Sequence, residues 1–292
     1  MKRRTPLFVS ALFLAAFLCV DALGQEARKY PPYTIVTRSV EYNAKGEEMR
    51  ASMSTRYQAS NGDWRSVSRT GVDEYATLYR RGRGVYQSNS RTNRLIKQTN
   101  HAPGCPLRTA EDLRADKKFA RTEDVLGFTA YVWIDRAGKD LKIEHYFVPE
   151  LGGGIPVKQV TTYTNGPRFV NEPVSITLGE PQPFDITGPD YFVIDEEPKF
   201  LPTLSQHLLS KPEPEYPTEA LNLALSGSVN VMVTVDDNGN VIMAGARPGD
   251  ARLSLRQAAV EAAYKATFKP IVVDGRTVIA QGMINYQFVL PK

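Results

Sequence analysis

Ser228-Val229-Asn230-Val231-Met232-Val233-Thr234-Val235 sets a valine at every second position and runs directly into Asp236-Asp237-Asn238-Gly239. A period of two is that of a strand with one apolar face, here Val229, Val231, Val233 and Val235. Asn238 and Gly239 tolerate the positive φ that a tight hairpin turn demands. Residues 241–246 are therefore predicted to return antiparallel. Further on, Leu255, Ala258, Ala259 and Ala262 fall at i, i+3, i+4 and i+7 within 253–267, which is one helical face, and its alanines let a helix lie close on a sheet. Phe268 and Pro270 end that helix, and Asp274-Gly275 turns the chain. A closing strand is predicted over 277–290, with Ile284, Tyr286, Phe288 and Leu290 on one face and Met283, Asn285, Gln287 and Val289 on the other. Upstream, Tyr216-Pro217 opens a short helix at a position that tolerates a missing N–H, and Gly227 is predicted to end it. This order predicts a small two-layer α/β module over 214–292.

The rest of the chain reads as strand after strand. In 33–42 the residues Thr34, Val36, Arg38, Val40 and Tyr42 form one face. Runs at 49–58, 64–70, 74–80, 85–88 and 94–98 follow, with Ser60-Asn61-Gly62-Asp63 as a hairpin signal. Thr109 is predicted to cap a helix with Glu111 and Asp112 in its first turn, carrying Leu113 and Phe119 inward. Strands resume at 128–135, 141–148, 157–164 and 169–178, separated by glycine and proline breaks. Short spacing with one helical interruption predicts a large antiparallel sheet that curls. The fold class is thus α+β: a curved antiparallel sheet in 25–195, a proline-bearing linker in 196–213, and the small module in 214–292. Within the proline-rich stretch, residues 200–209 are expected to form a short helix or dock on a domain.

With 292 residues the chain has room for two domains. It is 42% hydrophobic and 23% charged, ordinary for a folded protein. The net charge of +4 does not point to nucleic acid. Lys2, Arg3 and Arg4 precede an apolar run over residues 6–20, too short for the roughly 20 residues of a spanning helix. Ala22-Leu23-Gly24 then offers small residues for cleavage before Gln25, so 1–24 reads as a signal peptide. Extension of the apolar run to Leu23 keeps an uncleaved inner-membrane anchor as the alternative. After cleavage Cys105 is the one cysteine left, and it reads as a buried small apolar residue.

Catalytic patterns are not found. His101, His145 and His207 are scattered, without metal-ligand spacing. No serine or cysteine sits in a nucleophile elbow, and Gly152-Gly153-Gly154 lacks the context of a phosphate loop. Glu144 and Glu150 read as exposed carboxylates of a strand and its exit loop. Neither enzymatic activity nor a cofactor is expected. Arg56, Arg65, Arg69, Arg80, Arg81, Arg83, Arg91 and Arg94 read as a solvated sheet face or as an attraction to anionic envelope lipid or polymer.

Two resemblances attach to these residues. Tyr216-Pro217 with Ala220, Gly227-Ser228-Val229, Val235-Asp236 with Gly239-Asn240-Val241, Ala258-Ala259 with Ala262, Phe268-Lys269-Pro270, Asp274-Gly275 and the run from Ile284 to Leu290 together resemble the C-terminal domain of the TonB family, over residues 211–292. The chain departs from that pattern at Leu221, Ala266 and Arg247-Pro248-Gly249. Val125-Leu126-Gly127-Phe128-Thr129-Ala130-Tyr131, Ile143-Glu144 and Pro149-Glu150-Leu151-Gly152 resemble LolA-like periplasmic half-barrels, over residues 33–195. The first resemblance implies a binding role. In that family the last strand accepts, as an added strand, the periplasmic plug peptide of an outer-membrane receptor, and the role is carried here to Ile284, Asn285, Tyr286, Gln287 and Phe288. The side chains of Ile284, Tyr286 and Phe288 are expected in the core, with the backbone edge as the binding element. The expectation is a periplasmic, exported envelope protein acting by protein–protein interaction and related to TonB-dependent transmembrane transport. Its partners would be envelope proteins. Two alternatives stand beside it: a periplasmic carrier of a lipid or other apolar ligand in 33–195, and a membrane-anchored energy transducer. The missing histidine in the N-terminal run and the folded domain in place of a spacer weigh against the transducer.

Overall fold

The computed structural model describes residues 29–70, 73–98, 107–246 and 253–290. The expectations that fall on residues 1–24, His101, Cys105 and Arg247-Pro248-Gly249 lie outside the described residues. The fold is α+β. The described chain divides into two compact units, one ending at Val193 and the other beginning at Ile194.

The first unit is built on β1 (Tyr33–Tyr42), β2 (Glu48–Gln58), β3 (Trp64–Thr70), β4 (Asp73–Arg80), β5 (Gly84–Asn89) and β6 (Arg94–Lys97). After α1 (Ala110–Ala115) come β7 (Phe119–Val125), β8 (Phe128–Ala137), β9 (Leu141–Phe147), β10 (Pro156–Tyr163) and β11 (Arg168–Leu178), then α2 (Pro183–Thr187) and β12 (Phe192–Ile194). They form one twelve-stranded sheet in the order β12-β6-β5-β4-β3-β2-β1-β11-β10-β9-β8-β7. Its two runs of neighbouring hairpins meet where β1 pairs with β11. At its start β1 buries the face opposite that of Thr34 and Val36, with Tyr33 and Ile35 buried. The aromatic ring and the isoleucine chain bury more apolar area than threonine and valine, and they join Val132, Tyr146, Val160 and Val170 in one cluster.

On the other face of β8, the side chains of Tyr131 and Trp133 cluster with Phe147 and with Leu113 of α1. Thr109 caps α1 as expected, in a reciprocal capping box with Asp112. The helix is shorter than predicted, however. Phe119 is not its last inward residue but the first residue of β7, opposite Trp133. The turn at 116–118 breaks the helix, with Lys118 N–H bonded to the Asp116 carboxylate. Trp133 Nε1 donates to the Leu113 carbonyl at 2.9 Å, which fixes the helix end to the sheet.

The second unit contains β13 (Lys199–Phe200), a 3₁₀ turn (Leu204–His207), β14 (Leu208–Ser210), α3 (Thr218–Asn222), β15 (Gly227–Val235), β16 (Val241–Ala246), α4 (Leu253–Tyr264), β17 (Thr267–Phe268), β18 (Val272–Val273), β19 (Arg276–Thr277) and β20 (Ala280–Phe288). Its main sheet has the order β13-β20-β15-β16. All four valines of β15 are fully buried, and each such side chain contributes roughly 1.5–3 kcal/mol by burial. They meet Leu255, Ala259, Ala262 and Ala263 of α4. Gly239 takes φ +86°, and a Cβ there would lie 2.0 Å from the Phe268 carbonyl oxygen, so only glycine lets the hairpin turn sit against β17.

Three boundaries differ from expectation. The first helix of this unit ends at Asn222, with Ala224 in the left-handed region (φ +48°), whereas Gly227 starts β15 opposite Phe288. The alanine helix stops at Tyr264, because Thr267–Phe268 pairs with Leu208–Ser210. The closing strand begins at Ala280, because Arg276–Thr277 turns back on Val272–Val273 across Asp274-Gly275.

Candidate functional site

The candidate site is the edge of β20. Along its whole length β20 is paired antiparallel with β15, from Gly227 opposite Phe288 to Val235 opposite Ala280, without a register shift. Its even-numbered side chains Ile284, Tyr286 and Phe288 are buried in the core with the β15 valines. Tyr216 stacks edge-on against Phe288 at 5.5 Å, and its hydroxyl donates to the Leu225 carbonyl. The Tyr286 hydroxyl is fully covered and has no hydrogen-bond partner among the described residues. Burial, assisted by the nearby charge of Glu213, pushes its pKa up to about 12.

On the outer side, β20 pairs in parallel with the two residues of β13 only, Lys199 with Ala280 and Phe200 with Gln281. Leu201 N–H donates to the Gln281 carbonyl at 2.7 Å, and Lys199 N–H to that of Ile279 at 2.9 Å. The backbone of Gln281 therefore points outward. In a strand the N–H and C=O of one residue share a side and alternate residue by residue. With the register unbroken, the backbones of Met283, Asn285 and Gln287 point outward too. Among the described residues no strand pairs with them. One group is engaged: Lys211 Nζ donates to the Asn285 carbonyl at 3.2 Å, with the ammonium 5.2 Å from the centre of the Tyr286 ring.

The face of β20 turned away from the core is polar. Asn285 Nδ2 donates to Ser228 Oγ at 2.5 Å and to Asn230 Oδ1 at 3.0 Å. Gln287 Nε2 reaches Ser228 Oγ at 3.1 Å and Asn285 Oδ1 at 2.8 Å. These cross-strand amides tie the two strands where their side chains approach most closely. The arrangement can add an extended peptide through main-chain hydrogen bonds, with Asn285 and Gln287 exposed beside it.

Of the five residues singled out from the sequence, three are core and two are exposed. The segment 200–209, expected to form a short helix or dock on a domain, does both and guards the start of the edge. Leu204, in the 3₁₀ turn, is fully buried against Gly282, where a Cβ would come within 2.5 Å of the Leu204 Cβ and 2.6 Å of the Leu201 carbonyl oxygen. A glycine inside an apolar strand pattern is the signal that could have flagged this close approach.

Elsewhere, Glu144 is half-buried rather than exposed. Burial alone would raise its pKa, but hydrogen bonds from Arg121 and Lys142 outweigh that and hold it below the ordinary carboxylate range. His145 lies beside Asp135, which also binds Lys118. Among the described residues no group of three histidine, cysteine or acidic side chains could hold a metal, and no helix is long and apolar enough to cross a membrane.

No curated protein matches this chain. A chain of the Pseudomonas aeruginosa MucA/MucB complex is 14% identical, with 58% of this chain and 60% of that one covered at a TM-score of 0.36. The LolA superfamily protein NE2245 from Nitrosomonas europaea is 10% identical over 54% of this chain and 90% of its own, at a TM-score of 0.30. The TonB C-terminal domain of Pseudomonas aeruginosa is 25% identical over 29% of this chain and 86% of its own, at a TM-score of 0.23. Residues 212–290 match the family model described as the Gram-negative bacterial TonB protein C-terminal, so the resemblance read from Tyr216-Pro217 to Phe288 holds for this segment.

Proposed function

We propose that this chain is an exported cell-envelope protein that acts by protein–protein interaction, its C-terminal module adding an extended partner peptide to the outer edge of β20. The observation that carries the reading is the outward backbone of Met283, Asn285 and Gln287, which no strand of the described chain pairs. The family match over 212–290 supports a peptide from the periplasmic plug of an outer-membrane receptor, and with it a link to TonB-dependent transport. Main-chain bonds give such a complex its affinity, and alternate side chains give its selectivity.

Proline at Asn285 or Gln287 removes an outward N–H and leaves the ladder to β15 intact, since that ladder uses Ile284, Tyr286 and Phe288. Calorimetric titration of a receptor plug peptide is expected to show about tenfold or greater loss of affinity for Asn285→Pro, in a variant that loses the amide bonds to Ser228 and Asn230 and melts lower but still folds. Equal affinity in a folded variant sinks the reading. Export by cleavage before Gln25 is part of the same proposal, and mass spectrometry of the mature N-terminus checks it: a retained residue 1–24 segment favours the anchored alternative.

A further inference from the structure

Four arginines of the large sheet pair with carboxylates. Arg38 meets Glu48 at 2.8 Å, Arg65 and Arg69 share Glu74, and Arg121 bridges Glu123 and Glu144. Arg56 differs. Its guanidinium carbon lies over the Trp64 ring, 4.2 Å from the centroid. Nε and Nη2, the two nitrogens that form the side-on fork of a guanidinium, are both covered and meet no hydrogen-bond acceptor among the described residues.

Arg56 lines a small cleft with Tyr30, Tyr33, Gln58, Trp64 and Leu151, and no acidic residue takes part in the lining. Glu180, which lines an adjoining groove, accepts from Ser60 N–H instead. Gly152 also lines the cleft at φ +92°, and a Cβ there would lie 2.9 Å from Leu107 Cδ2, another lining residue. The space suits a group the size of a water or a small oxyanion rather than an acyl chain.

A covered guanidinium without an acceptor is costly. Its fork geometry matches the two oxygens of a carboxylate or phosphate, and an aromatic platform holds it in place. We propose that Arg56 is an oxyanion seat: its fork turns into the cleft to take one carboxylate or phosphate group from outside the chain, and the rest of any larger ligand stays outside the cleft. The inference is independent of the β20 edge. It rests on the ligand-carrying reading of this unit only where the oxyanion is the head of an amphiphile.

The test titrates the full chain, in parallel, with oleate, with oleyl alcohol and with inorganic phosphate, and repeats each with Arg56→Gln. Oleate or phosphate is expected to bind with one-to-one stoichiometry, and Arg56→Gln is expected to lose about tenfold or more of that affinity. Binding of phosphate alone identifies a free ion as the occupant. Binding of oleate but not phosphate identifies the head of an amphiphile. In the comparison with Arg56→Gln, two results overturn the seat: binding of neither oxyanion, or unchanged affinity, on loss of Arg56, for whichever oxyanion binds. The second of these leaves lipid carriage standing. Should Arg56→Gln fail to fold, Arg56→Met keeps an apolar stem on Trp64. In the unsubstituted chain, oleate binding no tighter than that of oleyl alcohol, together with no phosphate binding, is equally decisive against the proposal.

Discussion

Lys211 Nζ donates to the backbone carbonyl of Asn285, and it does so on the side of β20 from which an added strand would approach. A side chain here holds the place of a main-chain donor. Lys211→Met is therefore expected to raise the affinity of a plug peptide by about two- to tenfold, the worth of one hydrogen bond freed for the incoming N–H. Titration calorimetry on both chains measures it. Weaker binding by Lys211→Met would mean that the ammonium contacts the peptide instead of competing with it.

Gly282 carries the docked segment that ends with Lys211. A methyl group at 282 collides with the Leu204 Cβ and the Leu201 carbonyl. Gly282→Ala is expected to destabilise the chain by about 1–3 kcal/mol through overpacking, read from urea unfolding. The collision is with backbone on one side, so rotamer change alone does not relieve it.

Tyr286 makes its stability contribution conditional on pH. Its folded pKa of about 12 exceeds the ordinary tyrosine value of about 10. Between these values the unfolded chain gives up the phenolic proton while the folded chain retains it, so stability present below about pH 10 is lost as pH rises toward about 12. Tyr286→Phe removes that share of the loss. Because the hydroxyl has no partner to lose, the same variant is expected to be neutral or slightly stabilising at about pH 7. Melting curves at neutral pH and above about pH 10 test both statements.

His145 acts in the opposite pH range. Burial pushes its imidazole below the ordinary histidine value, Asp135 pulls it up and Lys118 pushes it down again, with the net shift downward. As pH falls below about 6.5 the unfolded chain takes up a proton that the folded chain resists, so stability present above that pH declines. His145→Gln is expected to flatten the melting temperature between about pH 7.5 and about pH 5. An unchanged slope in the variant would assign the pH dependence to other groups.

The alternation of β15, the turn at Asn238-Gly239 and the face of Ile284, Tyr286 and Phe288 could be read directly from the sequence, since side-chain period and turn chemistry are local properties. Ends of elements were less well placed. Phe119, Gly227 and Thr267 each satisfy a local pattern for one element, but pairing partners far along the chain draw them into another.

The sequence by itself determined the two kinds of unit, the valine face of β15 and the residues of the closing strand, because hydrophobic period survives without knowledge of neighbours. Tertiary structure decided which groups are left over. Whether an N–H of Asn285 is paired, whether Lys211 reaches its carbonyl, and whether Arg56 meets a carboxylate all depend on segments that approach from elsewhere in the same unit. Hydrogen-bond and charge satisfaction are sums over spatial neighbours, and no periodicity in the chain encodes them.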